Sequence, residues 1–222
     1  MKLKSFLAMA MISLLAVGCS DDDDNSKIPD PTTQEIKTVE VSTKDYSVWT
    51  YLNLETGKLT TATVPGPWKY IGEKVDEVQP TIKGEIPAEW DIAFHYYEIK
   101  TNGGEAVAVS ANQLSEVNTV PSEGFTKDVA VKAEDEVIIV DMSRMMSTHQ
   151  VGYAAGTHNP ILYDWVKRIP QQGMPPVKYE VDNSKVFVVK CKDGECYKFK
   201  FSDCLDGNGK KAVKFSYQKM SE

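Results

Sequence analysis

The hydrophobic and polar positions along the chain follow the pattern of short strands rather than of helices. From residue 37 onward, runs rich in valine, threonine and aromatic residues are broken at short intervals by glycine, proline or asparagine. No long stretch keeps the 3.6-residue period of an amphipathic helix. The pattern predicts strands at residues 38–41, 47–54, 59–64, 90–99, 106–110, 136–141, 177–181, 186–192, 196–201 and 212–218. Short helical segments are predicted at residues 110–117 and 161–169.

Glycine-containing turns separate several of these strands. They lie at residues 55–58, 101–104, 192–195 and 206–209. Glycine adopts a positive φ at little cost, as tight hairpins require. The sequence therefore predicts an antiparallel, all-β domain with short helical segments, spanning residues 37–222.

Length and charge narrow the class of protein. A chain of 222 residues is within the range that β-sandwiches and barrels fill as one domain. Its formal net charge of -7 argues against a nucleic-acid partner, which would require a basic face to replace counterions on the phosphates.

Residues 1–18 have the pattern of a lipoprotein signal peptide. A short basic start is followed by an apolar run at residues 6–17 and by small residues before Cys19. This run is too short to predict a membrane span. Residues 15–19 resemble the bacterial lipobox, which would make Cys19 the lipidated N-terminus; the alternative is an ordinary signal peptide with a chance cysteine. Acyl chains such as palmitate on Cys19 would anchor the protein without spanning the membrane.

Residues 19–36 predict a disordered tether. Four consecutive aspartates at positions 21–24 precede a polar segment that contains prolines and cannot bury apolar surface. A serine and acidic residues next to a lipidated cysteine resemble the export signal of Bacteroidetes surface lipoproteins. A plain solvated linker is the alternative.

Signatures of enzymes are mostly absent from the sequence. It contains no nucleophile elbow, phosphate-binding glycine loop, zinc-protease helix or calcium-loop spacing. Asp91 and His95 are four residues apart on a predicted strand, too far for a direct hydrogen bond. We therefore expect His95 to be a strand residue without a catalytic role.

Three further cysteines lie near the C-terminus. If Asp193 and Gly194 form a two-residue hairpin turn, Cys191 and Cys196 lie directly opposite each other. Export would place them in a compartment that permits disulfides. A Cys191–Cys196 disulfide is therefore plausible, with Cys204 as a competing partner for either cysteine.

Soft metal ligands are concentrated in residues 142–176, where regular structure is weakly predicted. Thioether and imidazole groups suit haem iron or copper, although methionine also fills gaps in apolar cores. The candidate ligands are Met142, Met145, Met146, His149, His158 and Met174.

The order of several segments along the chain resembles the HmuY family of haem-binding lipoproteins from Bacteroidetes. The segments are DYSVWTYLNLETGKL (45–59), EWDIAFHYYEIKTNGG (89–104), VIIVDMSRMM (137–146) and GMPPVKYEV (173–181), after a lipobox and an acidic run. The resemblance implies an all-β fold of two packed sheets. It also implies a haem held near one end between two loops that each supply an axial ligand.

The resemblance places the first axial ligand just after the strand that ends near residue 141, and the second before Pro175. The founding type of the family uses two histidines there, whereas this chain has Met174 at the second position, as in the branch that uses methionines. For the first position we expect Met146, then Met145, while Met142 would still pack with the strand. His149 is a reserve ligand, and His158 is expected to face solvent.

Residues between the proposed ligands are candidates for the haem pocket. Tyr153, Ile161, Tyr163 and Trp165 could form apolar walls, and Arg144, Lys167 and Arg168 could meet the propionates.

The resulting hypothesis is a surface haem-capture lipoprotein, a haemophore rather than an enzyme. It would take haem b (iron protoporphyrin IX) from host haemoproteins and deliver it to a TonB-dependent outer-membrane receptor, as a step in iron acquisition. A glycan-binding or adhesive β-sandwich is the alternative, with aromatic residues stacked on sugar rings. A secreted hydrolase with an unrecognised site is a third hypothesis.

Overall fold

The computed structural model describes residues 34–133, 138–173 and 177–221, and the chain from Gln34 onward forms one compact unit. In chain order, the strands are β1 (Lys37–Ser42), β2 (Val48–Leu52), β3 (Leu59–Thr63), β4 (Trp68–Ile71), β5 (Val75–Val78), β6 (Ile92–His95), β7 (Glu98–Thr101), β8 (Glu105–Ser110), β9 (Thr126–Lys127), β10 (Val129–Val131), β11 (Val140–Asp141), β12 (Val151–Tyr153), β13 (Gly156–His158), β14 (Val166–Pro170), β15 (Val177–Val181), β16 (Lys185–Lys190), β17 (Cys196–Leu205) and β18 (Lys211–Lys219). Two short α-helices, α1 (Met145–Thr148) and α2 (Pro160–Tyr163), and a 3₁₀ helix at Leu114–Glu116 complete the described elements.

The largest sheet has the strand order β1-β18-β17-β16-β8-β9, and every pairing in it is antiparallel. Side chains alternate between the two faces of a strand. On β16, Phe187 and Val189 therefore face the main core, while Val186 and Val188 face a smaller cluster on the other side.

The other packed sheet has four strands in the order β3-β2-β6-β7, and it lies against the large sheet. Phe94 of β6 stacks on Phe215 of β18 with ring centroids 5.1 Å apart. Leu52 and Ile92 join the same main core. The fold is thus all-β, with two packed antiparallel sheets, as predicted.

Smaller sheets complete the molecule. The sheet β11-β12-β4-β5 has four strands, and β10-β13 and β14-β15 are two-stranded. A second core cluster is rich in aromatic residues from β2 and β4; it includes Trp49, Tyr51, Trp68, Tyr70 and Ile139. Within the described residues, no helix is long and apolar enough to cross a membrane.

The predicted strand at residues 90–99 is in fact a hairpin. His95 pairs with Glu98 across a two-residue turn, in which Tyr96 has a positive φ of 53°. Both turn residues, Tyr96 and Tyr97, are buried aromatic residues. The sequence therefore lacks the polar or glycine signal that normally marks a turn.

The predicted helix at residues 161–169 is only partly correct. Helix α2 ends at Tyr163, and Val166–Pro170 is strand β14, paired with β15. The helical segment expected at residues 110–117 is confirmed only in part, because the 3₁₀ helix spans Leu114–Glu116 and Ser110 belongs to β8. Strands β4, β5, β9, β10, β12 and β13 were not predicted. Of the strand expected at residues 136–141, the first two residues lie outside the described residues, and β11 covers only Val140–Asp141.

Candidate functional site

The first group of candidate ligands lies on a single helical turn that follows β11. Met145 and Met146 begin α1, so they belong to a helix rather than to the predicted loop. Met146 is 84% exposed, whereas Met145 is half-buried. The helix ends at Thr148, and the next residue, His149, is exposed and has a left-handed φ of 54°. The thioether of Met146 is thus accessible to a ligand from solvent.

The second candidate ligand, Met174, lies outside the described residues. Its position in the chain is bracketed by β14, which ends at Pro170, and β15, which begins at Val177. These two strands pair with each other as a hairpin. Exposed Gly173 has a φ of 105°, a conformation that glycine adopts readily.

Strands β11 and β15 approach the same tyrosine. Val140 of β11 and Tyr179 of β15 both pack against the main core, as does Tyr46. Burial, together with the nearby charges of Asp141 and Tyr179, raises the pKa of Tyr46 to about 12. Asp141, the last residue of β11, and Tyr179 of β15 are therefore both close enough to influence Tyr46.

The candidate pocket walls have different environments. Tyr153, on β12, and Ile161, on α2, are half-buried. Trp165 is fully buried; its Nε1 donates to the carbonyl of Tyr97 at 3.0 Å, and its ring packs 4.8 Å from that of Phe201. The expectation that Trp165 lines a ligand pocket is therefore corrected, because its whole surface is covered by core residues.

Tyr163 is half-buried at the end of α2, and local capping sets its position. The side chain of Asn159 accepts from the amides of Ile161 and Leu162 at 3.1 Å, and Pro160 occupies the first helical position. Such caps satisfy amides that have no partner within the helix. The helix ends at Tyr163, and β14 begins three residues later at Val166.

The three candidate cations differ in what they contact. Arg144 stacks on the ring of Tyr70 at 3.9 Å, and Lys167 pairs with Asp182 at 3.3 Å. Arg168 covers the ring of Tyr163 at 3.4 Å, and its Nη1 donates to two backbone carbonyls. Its buried Nη2 has no partner among the described residues, so the N–H groups of this nitrogen remain available to an acceptor.

The three histidines have different surroundings. His158 is 4% exposed and packs edge-on against Tyr163, so the expectation that it faces solvent is wrong. His95 is a buried strand residue, as predicted; its Nε2 lies 2.8 Å from the carbonyl of Tyr46. The carboxylate of Asp91, four residues before His95, accepts a hydrogen bond from the amide of Leu54 at 2.7 Å.

The predicted Cys191–Cys196 disulfide is not formed. Cys191 is opposite Glu195, because residues 192–194 form a three-residue turn with Gly194 at a φ of 95°. Cys196 instead pairs with Lys190. A shift of one residue moves a side chain to the other face of the sheet. Cys191 accordingly packs in the main core and Cys196 against the smaller cluster.

Sequence reasoning missed the polar residues beside α1. The hydroxyl of Tyr70 donates a hydrogen bond to Asp141 at 2.6 Å. The pKa of Tyr70 is raised to about 12, mainly by burial and secondly by this hydrogen bond. Tyr70 lies on β4, which the sequence pattern did not predict. The available signal was the alternation of Trp68, Lys69 and Tyr70, which is too short to be recognised alone.

A second missed group of residues surrounds Lys211. Its Nζ lies 3.1 Å from the hydroxyl of Tyr46, also contacts that of Tyr96, and is 3.7 Å from the centroid of the Tyr96 ring. Burial lowers the pKa of Lys211 to about 8.

Across residues 34–133, 138–173 and 177–221, no group of three or more His, Cys, Asp or Glu side chains could hold a metal ion.

Comparisons with known proteins agree with this fold. The chain is similar to apo PinO from Porphyromonas gingivitis, with 32% identity, a TM-score of 0.69 and coverage of 85% of this chain and 99% of that chain. It is also similar to the apo HmuY analogue TFO from Tannerella forsythia, with 28% identity, a TM-score of 0.71 and coverage of 87% and 100%. A protein from Bacteroides vulgatus that is described as HmuY-like and haem-binding has 28% identity, a TM-score of 0.66 and coverage of 87% and 96%.

No curated protein matches this chain. The sequence profile of the family described as HmuY protein matches residues 45–217, which is most of the chain and includes α1 and the β14–β15 hairpin. The chain therefore belongs to the HmuY family.

Proposed function

We propose that this protein is a surface haem-binding lipoprotein that captures haem b and passes it to a TonB-dependent outer-membrane receptor. The observation that carries the proposal is the HmuY match over residues 45–217, together with a solved relative that is described as haem-binding. The proposed source of haem is host haemoproteins. Binding and transfer would leave the haem itself chemically unchanged, so the proposal does not include an enzyme activity.

We infer that two methionines hold the iron, one on α1 and the other Met174. Met146 is our first choice on α1 because its thioether is the more exposed, and Met145 is the alternative. His149 stays a reserve ligand. When bound, haem supplies an iron that accepts two axial donors, and thioether donors favour the ferrous form.

Residues around α1 and β14 fit the rest of a haem. Half-buried Tyr153 and Tyr163 offer aromatic surface, and porphyrins require mostly apolar walls with a few polar groups. Arg168 has a donor without a partner among the described residues, which suits a carboxylate such as a propionate. Arg144 lies next to Met145 and supplies a second cation.

Haem titration tests the ligand assignment. Ferric and ferrous haem are added to wild type and to Met145→Leu, Met146→Leu and Met174→Leu, since leucine keeps the volume but removes the sulfur. Met220→Leu is the matched control, because Met220 is buried in the smaller cluster that includes Val186 and Val188. We expect a sharp Soret band in wild type and the control, and loss of the low-spin ferrous spectrum in Met174→Leu and in one α1 variant.

Two results would contradict the proposal. If wild type shows no spectral change with haem in either redox state, the haem-binding function is wrong and the glycan-binding alternative gains support. If Met174→Leu binds haem like wild type, the family's second ligand position does not apply to this chain.

The surface location is a separate part of the proposal. Cys19 would carry acyl chains that retain the protein at the outer membrane, with residues 19–36 as the tether. Labelling with a palmitate analogue should modify wild type but not Cys19→Ala. Protease added to intact cells should remove the wild-type protein; protection from protease would contradict exposure at the cell surface.

A further inference from the structure

The β4–β5 hairpin contacts the residues on both sides of α1. Before the helix, the hydroxyl of Tyr70 on β4 donates to Asp141 Oδ2 at 2.6 Å. The other oxygen of Asp141 accepts from the amide of Ser143 at 2.7 Å. Tyr70 is 5% and Asp141 6% exposed, so water competes little for this hydrogen bond. The carboxylate therefore ties the chain entering α1 to β4.

Asp76, on β5, contacts residues at the two ends of α1. Its Oδ2 lies 4.0 Å from Arg144 Nη1, just before the helix, and accepts from Gln150 Nε2 at 3.0 Å, just after it. The side chain of Gln150 also accepts from Thr148 at 3.0 Å. The guanidinium of Arg144 stacks on Tyr70. Both ends of α1 are thus held by the same hairpin.

Two glycines make these contacts possible. A Cβ at Gly152 would lie 2.7 Å from the ring of Tyr70. A Cβ at Gly72 would lie 3.0 Å from the carbonyl oxygen of His149 and 2.8 Å from the side chain of Gln150. Each distance is shorter than ordinary van der Waals contact. The absence of side chains at these positions allows the hairpin and the α1 segment to pack closely.

Helix α1 needs such support because it has only four residues. A helix of one turn is unstable alone, since the cost of nucleation is offset by very few hydrogen bonds. The amides of Ser147 and Thr148 donate to the carbonyl of Arg144 at 3.2 and 2.9 Å. The position of α1 therefore depends on contacts outside the helix.

We propose that Tyr70 and Asp141 are positioning residues for the haem ligand on α1, and that the β4–β5 hairpin is thereby a part of the haem site. This inference rests on the proposed function. Neither residue donates to iron in this proposal. They hold the helix in place before haem binds, so that its methionine loses less conformational freedom on binding.

Tyr70→Phe tests the inference, with Tyr51→Phe as the matched control. Both tyrosines are buried in the same aromatic cluster, but the hydroxyl of Tyr51 has no partner among the described residues. Tyr70→Phe should speed hydrogen exchange at the amides of Ser147 and Thr148 without haem, and should raise the Kd for ferrous haem about tenfold. Tyr51→Phe should change neither quantity.

Asp141→Asn provides a second variant and a spectroscopic readout. It should weaken ferrous haem binding and increase the high-spin fraction of the bound haem, because a mobile α1 leaves the methionine ligand partly dissociated. Adding Tyr70→Phe to Asp141→Asn should cause little further loss, since the two residues act through one hydrogen bond. A purely structural role would lower the thermal stability of both variants but leave the spectrum of bound haem unchanged.

The possible outcomes separate this inference from the proposed function. Unchanged amide exchange in Tyr70→Phe, or faster exchange with unchanged haem affinity and spectrum, would overturn the positioning role. Wild type that does not bind haem would overturn the proposed function and the haem part of the inference together. Amide exchange in the haem-free protein would still show whether Tyr70 holds α1.

Discussion

The Nζ of Lys100 lies 4.3 Å from the centroid of the Trp49 ring. The rings of Tyr51 and Trp90 lie 5.3 and 5.5 Å from the same nitrogen. Aromatic faces attract a cation, but they replace water poorly. Burial accordingly lowers the pKa of Lys100 to about 8, although the charge of Asp128 opposes the shift.

This pKa predicts how stability depends on pH. A lysine in the unfolded chain has a pKa near 10.5, so the unfolded state binds more protons than the folded state between about pH 8 and 10.5. The free energy of unfolding should therefore rise with pH across this window, by at most about 1.4 kcal/mol per pH unit from this group. Urea denaturation of wild type and Lys100→Met from about pH 7 to 9.5 measures the difference.

Lys58→Met is the control for this prediction because Lys58 is exposed. The stability of Lys100→Met relative to wild type should fall as pH rises, while that of Lys58→Met should stay level. Parallel curves for all three proteins would show that Lys100 does not titrate within the window.

The cysteine positions predict a specific pattern of chemical reactivity. Cys191 is buried, and burial strongly raises the pKa of its thiol, so the reactive thiolate is scarce. Iodoacetamide should leave Cys191 unmodified in the folded protein and modify it in urea. Peptide mapping without reductant should find no Cys191–Cys196 linkage; a linked peptide in folded protein would contradict the register of the β16–β17 hairpin.

Phe215 connects the two packed sheets, so its truncation should destabilise the fold. Its side chain is fully buried and packs against Phe94, Phe199 and Phe201. Phe215→Ala should lower the free energy of unfolding by about 3–5 kcal/mol through lost burial and a residual cavity. Chemical denaturation measures this loss. Ile82→Ala, at a site that is 76% exposed, should change stability by no more than about 0.5 kcal/mol.

Methionine ligation predicts that haem binding tolerates mild acid. A thioether has no proton to gain near neutral pH, whereas an imidazole donor is blocked below its usual pKa of about 6.5. The Kd for ferrous haem should therefore change less than about threefold between about pH 7.5 and 5.5, when measured from the Soret band. Haem release with a midpoint near pH 6 would instead indicate a histidine ligand.

Much of the fold could be predicted because local patterns determine it. The strands at residues 38–41 and 177–181 alternate exposed and less exposed positions, and the structure has β1 and β15 there. Segments that depend on long-range contacts were less predictable. The turn at Tyr96 and Tyr97 has no local turn signal, and β14 became a strand because β15 was available to pair with it.

The candidate site was predicted from the order of motifs rather than from geometry. That order predicted ligands in the segment that forms α1 and in the segment before β15, and the family match over residues 45–217 includes both segments. The ligand assignment itself stays a prediction. The order of motifs did not identify Tyr70 or Asp76, which are about 70 residues earlier in the chain than α1. Hydrogen bonds between such distant residues leave no periodic signal in the sequence.

The sequence by itself determined the all-β class and the family, because alternating side chains, turn residues and motif order are properties of neighbouring positions. Only the tertiary structure decided which face each side chain occupies. A three-residue turn separated Cys191 from Cys196, and core packing covered Trp165 and His158. The contacts of Tyr70 and Asp141 beside α1 likewise exist only after the sheets pack, because folding alone brings these two residues together.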